Sequence, residues 1–241
     1  MKFLICNLKM NHSLKEMLSY KKNLENENIP FSFFLCPATC YLPVMYSKKY
    51  SLCAQNVSLP EVSKNTGSVS ASALASLGVK ASLVGHYELQ ESLEVKREKM
   101  MEVLEQRMKA FILLTNSLDE FYYQYTSDVL FNQIQGILKD INPRYYEQIH
   151  FIYEPGWLIG GEKTLSVGEV TQIFKELRDK LQESYHFSFP LLYGGGLMKE
   201  SILTFLEQDG IDGVLVGKYA NDVQNVLELW KNVENFTVKN V

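Results

Sequence analysis

Phe151-Ile152-Tyr153-Glu154-Pro155-Gly156-Trp157-Leu158-Ile159-Gly160 carries an apolar run straight into a carboxylate and then into a segment hinged by proline and glycine. The run predicts a strand, and the residues after it predict a loop that can move as a lid. A carboxylate held at a strand end beside a lid is a candidate general base, because closure would exclude water from its reaction. A lone loop glutamate is ordinarily a solvated acid, so what matters is where the rest of the chain sends its polar groups.

Outward from this stretch, β-rich runs recur at Phe3–Cys6, Phe31–Cys36, Ser51–Ala54, Ala81–Val84, Phe111–Leu114, His150–Tyr153, Pro190–Tyr193 and Val214–Val216, with longer amphipathic segments between them. Most runs are apolar throughout rather than alternating, the pattern of parallel strands covered on both faces. Ser13 with Glu16, and Ser166 with Glu169, have the spacing of capping boxes. Behind the first, Leu14, Met17, Leu18 and Leu24 fall near one helical face; behind the second, Val170, Ile173, Phe174, Leu177 and Leu181 do so. The stripe Met100, Met101, Val103, Leu104 and Met108 reads as core. With 241 residues and no Gly/Ser linker or shift in composition, residues 1–241 fit one α/β domain, an eight-stranded parallel barrel.

A net charge of -4 with 22% charged residues provides no basic stripe, so nucleic acid is not an expected partner. Cys6, Cys36, Cys40 and Cys53 form no Cys-x-x-Cys pair and read as free thiols of a reducing compartment. Asn7 and Lys9 interrupt the apolar start before a signal sequence can form, and Pro37 and Pro43 break the longest apolar stretch. No membrane association is expected, and the expected location is cytoplasmic.

A parallel barrel collects its chemistry at the carboxyl ends of the strands. Those ends carry Asn7-Leu8-Lys9-Met10-Asn11, Gln55-Asn56, Gly85-His86-Tyr87-Glu88, Glu154, Tyr193-Gly194-Gly195-Gly196 and Gly217-Lys218. Polar and glycine residues therefore gather at one rim. His12, His86, His150 and His186 show no paired ligand spacing, and no metal is expected.

In this order and at these intervals, the segments resemble the triosephosphate isomerase family across nearly the whole chain. Glu154-Pro155-x-Trp157 is the most specific; Asn7-x-Lys9-Met10-Asn11 and Gly85-His86-x-Glu88 are specific together. The resemblance implies a closed (β/α)8 TIM barrel surrounded by helices. It implies interconversion of dihydroxyacetone phosphate and D-glyceraldehyde 3-phosphate through an enediolate, in glycolysis and gluconeogenesis, with no cofactor. Glu154 would be the base and His86 a neutral imidazole donor, the pairing for which this family serves as a general example. Lys9 would supply positive charge and Asn7 a neutral donor. Backbone N–H groups at Gly160, Gly196, Gly217 and Lys218 would hold the phosphate, with Glu88 and Tyr193 in support and a lid from Pro155 to Thr164. Thr66, near the tip of an arm from Val57 to Ser72, would enter the neighbouring subunit of a homodimer.

The chain also departs from that pattern. Gly196 stands where the family has a serine that helps hold the closed lid, so Gly196→Ser is expected to tighten binding of an intermediate analogue. Lys218 replaces a glycine, and its ammonium is expected to point outward. Thr66-Gly67-Ser68 lacks a glutamate, and Leu89 stands in place of an arginine, which in the family pair across the dimer interface. Leu114-Thr115-Asn116-Ser117 replaces a cysteine-containing segment, and no role carries over to it. Two alternatives remain: a different phosphate-binding barrel enzyme, which should not need Asn7, Lys9, His86 and Glu154 together, and a non-catalytic phosphate-binding barrel, to which Gly196 and Lys218 point.

Overall fold

The apolar runs form eight strands: β1 Phe3–Asn7, β2 Phe33–Cys36, β3 Ser51–Ala54, β4 Ala81–Val84, β5 Lys109–Leu114, β6 Ile149–Tyr153, β7 Leu191–Gly194 and β8 Gly213–Val216. Each pairs in parallel with the next, and β8 closes on β1 with Leu4 opposite Val214. The computed structural model describes residues 2–29, 32–60, 66–161, 163–229 and 231. Of the expected segments, Phe31, residues 61–65 of the arm and Glu162 of the lid lie outside these. β3 and β4 coincide with their predicted runs, and the other boundaries fall within two residues of theirs.

Alternate strand residues point to opposite faces. Ile5, Phe34, Leu83, Phe111, Ile152 and Leu215 pack together inside the barrel. Leu4, Leu35, Val84, Ile112, Phe151 and Val214 pack outward against helices. These helices are α1 Leu14–Glu25, α2 Leu42–Met45, α3 Ala71–Ser76, α4 Leu93–Glu105, α5 Leu118–Tyr122, α6 Thr126–Leu138, α7 Val167–Tyr185 and α8 Lys199–Glu207. Both expected capping boxes form, opening α1 and α7, and Ser117 with Glu120 opens α5 in the same way.

On α1 the buried face is Met17, Tyr20 and Leu24, whereas Leu14 and Leu18 are exposed, against expectation. On α7, Val170, Phe174, Leu177 and Leu181 are buried and Ile173 packs at the edge. Met100, Val103, Leu104 and Met108 are core, with Met101 partly covered. All four cysteines are free, Cys40 exposed and the others buried. Among the described residues, no helix is long and apolar enough to cross a membrane.

The same alternation places the site. Ile5 and Ile152 fill the barrel interior, so Asn7 and Glu154, two residues further along, stand above them at the carboxyl rim.

Candidate active site

Glu154 is fixed by the end of the sheet, its N–H donating to the Leu114 carbonyl at 2.9 Å. Its residue is 9% exposed, and its Oε2 is buried with no hydrogen-bond partner in the protein. An ionised carboxylate is costly in such a place. Burial pushes the carboxyl from the ordinary 4.5 up to about 7, the Lys9 ammonium pulling it down and Glu88 adding to the rise.

His86 reaches the same point by a turn rather than by strand alternation. Gly85, directly after β4, has φ +76, and a Cβ there would meet the Lys96 side chain at 2.4 Å. Only glycine satisfies both conditions without strain. The chain then enters a short 3-10 turn, Tyr87–Leu89, and the Glu88 N–H donates to His86 Nδ1 at 3.3 Å. An accepting Nδ1 leaves the proton on Nε2, and Nε2 lies 3.5 Å from Glu154 Oε2. Burial lowers the imidazole pKa; Glu88 opposes this, while Lys9 and Lys96 reinforce it. The neutral, Nε2-protonated form is favoured.

Lys9 has φ +51 and is held there by two contacts. Its N–H donates to Asn7 Oδ1 at 3.2 Å, and Gln55 Nε2 donates to its carbonyl at 2.8 Å. Its ammonium pairs with Glu88 Oε1. The hydrogen bond from Lys9 holds the Glu88 carboxyl below the usual range, with His86 helping and burial opposing.

Asn7, Lys9, Glu154, Gly160, Gly196, Gly217 and Lys218 all line one cavity of about 270 Å³. A second, of about 320 Å³, is lined by Asn7, Lys9, Met10, Gln55, Asn56, His86, Glu88 and Leu89. Asn7 and Lys9 face both, and His86 Nε2 lies 3.5 Å from Glu154 Oε2, so the expected residues converge. Lys218 is exposed as well as lining the first cavity. Tyr193 OH accepts from the Leu165 N–H and hydrogen-bonds Thr164 Oγ1, each at 3.2 Å, so it anchors the far end of the lid. Thr66 is exposed on the arm.

The geometry at Gly196 opposes the expectation for Gly196→Ser. Gly196 has φ +61, and a Cβ there would fall 1.8 Å from the Lys163 carbonyl oxygen. The lid backbone passes where a side chain would start, so glycine is a fitted partner of this lid rather than a lost hydroxyl.

Sequence reasoning missed Lys96. It sits on α4, is 6% exposed, and donates from Nζ to the Leu113 carbonyl at 2.9 Å. Between Val95 and Arg97 it reads as an ordinary solvated helix lysine, and no local pattern marks it. Among the described residues, no cluster of His, Cys, Asp and Glu could hold a metal ion.

A family model described as triosephosphate isomerase matches residues 2–233. The chain belongs to the triosephosphate isomerase family. A triosephosphate isomerase of Malacoplasma penetrans is 27% identical over 242 residues, which is 95% of this chain and 97% of the relative. Those of Alkaliphilus metalliredigens and Natranaerobius thermophilus are 31% and 30% identical, over 88% of this chain and 91% and 88% of theirs. This protein is therefore an isomerase, with triose phosphate as the family's substrate and glycolysis as its setting. The alternatives of another barrel enzyme and of a non-catalytic barrel fall away.

Proposed function

We propose that Glu154, His86, Lys9 and Asn7 interconvert dihydroxyacetone phosphate and D-glyceraldehyde 3-phosphate by proton transfer. Glu154 takes the proton from the carbon beside the aldehyde of glyceraldehyde 3-phosphate. His86 Nε2–H donates to the carbonyl oxygen as negative charge develops there, and the Lys9 ammonium stabilises that charge. The hydroxyl proton of the second oxygen passes to the former carbonyl oxygen, with His86 Nε2 giving its proton to one and taking the proton of the other. Glu154 returns its proton to the former aldehyde carbon, so one base serves both carbon steps.

The observation that carries this reading is the buried, unpartnered Glu154 Oε2 with His86 Nε2 at 3.5 Å. A carboxyl near 7 suits a base that must both accept and return a proton at neutral pH. Backbone N–H groups at Gly160, Gly196, Gly217 and Lys218 hold the phosphate at the opposite wall. Closure of the lid from Pro155 to Thr164 excludes the water that would divert the enediolate. Isomerisation in D2O tests this route. Part of the product should carry solvent deuterium on the carbon that gained the proton, through exchange at Glu154 during the enediolate's lifetime, and no deuterium in either product or recovered substrate would count against proton transfer.

We also infer a cytoplasmic homodimer. Met10, 87% exposed, and Leu89, 43% exposed, line the second cavity, a seat for the arm of a second copy with its Thr66. An interface without the family's ion pair leaves no charge buried alone. Sedimentation at low micromolar concentration checks it, and a fully active monomer would contradict it. Free thiols support a reducing location.

A further inference from the structure

The loop between β5 and α5 plays no part in the chemistry above, yet it grips the segment that carries the base. Asn116 Oδ1 accepts from Tyr153 OH at 2.9 Å, just before Glu154. The Leu114 carbonyl accepts from the Glu154 N–H, also at 2.9 Å. Pro155 has no N–H to continue this ladder, so the next available donor is Gly156. Its N–H donates to the Thr115 hydroxyl at 2.9 Å.

Thr115 is itself braced. Its N–H donates to Gln133 Oε1 at 3.3 Å, and Gln133 Nε2 donates to its carbonyl at 2.6 Å. One side-chain amide on α6 thus pairs with the Thr115 backbone as a neighbouring strand would. On its other side Gly156 is backed by Tyr87, whose ring would meet a Cβ at 2.5 Å. The Trp157 ring then packs on Phe121, with centroids 5.3 Å apart.

We propose that Thr115, braced by Gln133, is a positioning residue for the catalytic base and the lid hinge. Its hydroxyl adds one rung beyond the sheet, across the proline gap, and so sets where rigid β6 ends and the lid begins. Without that rung the peptides around Glu154 can rock as the lid moves, and a base displaced by about 1 Å can lose roughly a hundredfold in rate. The inference rests on the isomerase reading with Glu154 as base.

Thr115→Val removes the acceptor at nearly constant shape, and Thr115→Ser keeps it. Thr115→Val should lower kcat about tenfold, the equivalent of one lost hydrogen bond, with KM for glyceraldehyde 3-phosphate within about twofold of wild type. Thr115→Ser should restore most of the rate. Exchange of the Gly156 amide hydrogen should be slow in wild type and in Thr115→Ser, and fast in Thr115→Val. A Thr115→Val enzyme within about twofold of wild-type kcat, or a serine variant as slow as the valine one, would overturn the proposal. Amide exchange separates the two readings: if wild type fails to turn over triose phosphate, the isomerase reading is lost, but Gly156 protection still decides the rung. Equal Gly156 exchange in all three proteins removes it. Should Thr115→Val fold poorly, Gln133→Met carries the same readouts, with a smaller loss of kcat and faster Gly156 exchange expected; wild-type values for both would refute the brace.

Discussion

Strand β6 carries a titratable side chain toward each end of the barrel, His150 near its start and Glu154 just past its end. Burial shifts both, the imidazole down to about 4 and the carboxyl up to about 7. Their surroundings differ. His150 packs edge-on against Phe3 and Phe111, ring centroids 4.9 and 5.1 Å away, with Nδ1 3.2 Å from the Gln148 carbonyl. Glu154 opens on a cavity, keeps an unpartnered oxygen, and lies 3.5 Å from the imidazole of His86. Desolvation perturbs a pKa at either end, but chemistry requires space and converging charges as well.

The sharpest way to break this contrast is to remove charge from the cavity end. Lys9→Met should lower kcat/KM by roughly 10³-fold, since a preorganised donor facing developing negative charge is lost. His150→Phe should leave kcat/KM within about twofold of wild type, because that ring touches no reacting atom. Steady-state kinetics on both variants checks the pair; a loss under tenfold for Lys9→Met, or a large loss for His150→Phe, would erase the difference between the ends.

The two ends should also pull stability in opposite directions with pH. Glu154 rises from 4.5 to about 7 on folding, so the folded state binds the extra proton and stability is lost as pH climbs through that window. Glu154→Gln removes this loss and should be more stable than wild type by about 3 kcal/mol above pH 7, with the gap closing toward pH 4. His150 falls from 6.5 to about 4, so the unfolded state binds the proton and stability is lost as pH drops through that window. His150→Phe should therefore gain about 3 kcal/mol on wild type near pH 4 and show none of this gain above pH 7. Urea unfolding across pH reads both, and parallel pH profiles for the two variants would contradict the account.

A smaller effect tests the lid. Gly196→Ser should weaken binding of a phosphate-bearing enediolate analogue by roughly tenfold, because a strained conformation and a displaced backbone cost about 1–3 kcal/mol. Calorimetric titration measures it, and unchanged or tighter binding would show that the lid accommodates a side chain there.

The rim residues were legible because each follows an apolar run whose end the polar residue itself marks, as Glu154 follows Phe151-Ile152-Tyr153 and Lys9 follows β1. The starts of α1 and α7 were legible because a capping box lies within four consecutive residues, although the Ser117–Glu120 box of α5 went unread. What escaped notice depends on meetings across the chain. Lys96 looks solvated until Gly85 and the Leu113 carbonyl are seen to enclose it. Gly196 looks like a deficit until the Lys163 carbonyl is found against it. Leu14 and Leu18 share the periodicity of Met17 and Leu24, but periodicity does not say how wide the covered face is. Thr115 lay in a segment without an assignable role, because its partners Gly156 and Gln133 are distant in sequence.

The most direct measurement is turnover of glyceraldehyde 3-phosphate by wild type and Glu154→Asp, with binding of an intermediate analogue measured alongside. Shortening the side chain withdraws the carboxylate by about 1 Å, so kcat should fall roughly a hundredfold while analogue affinity changes far less. Equal turnover, or a loss of affinity as large as the loss of rate, would show that Glu154 is not the base.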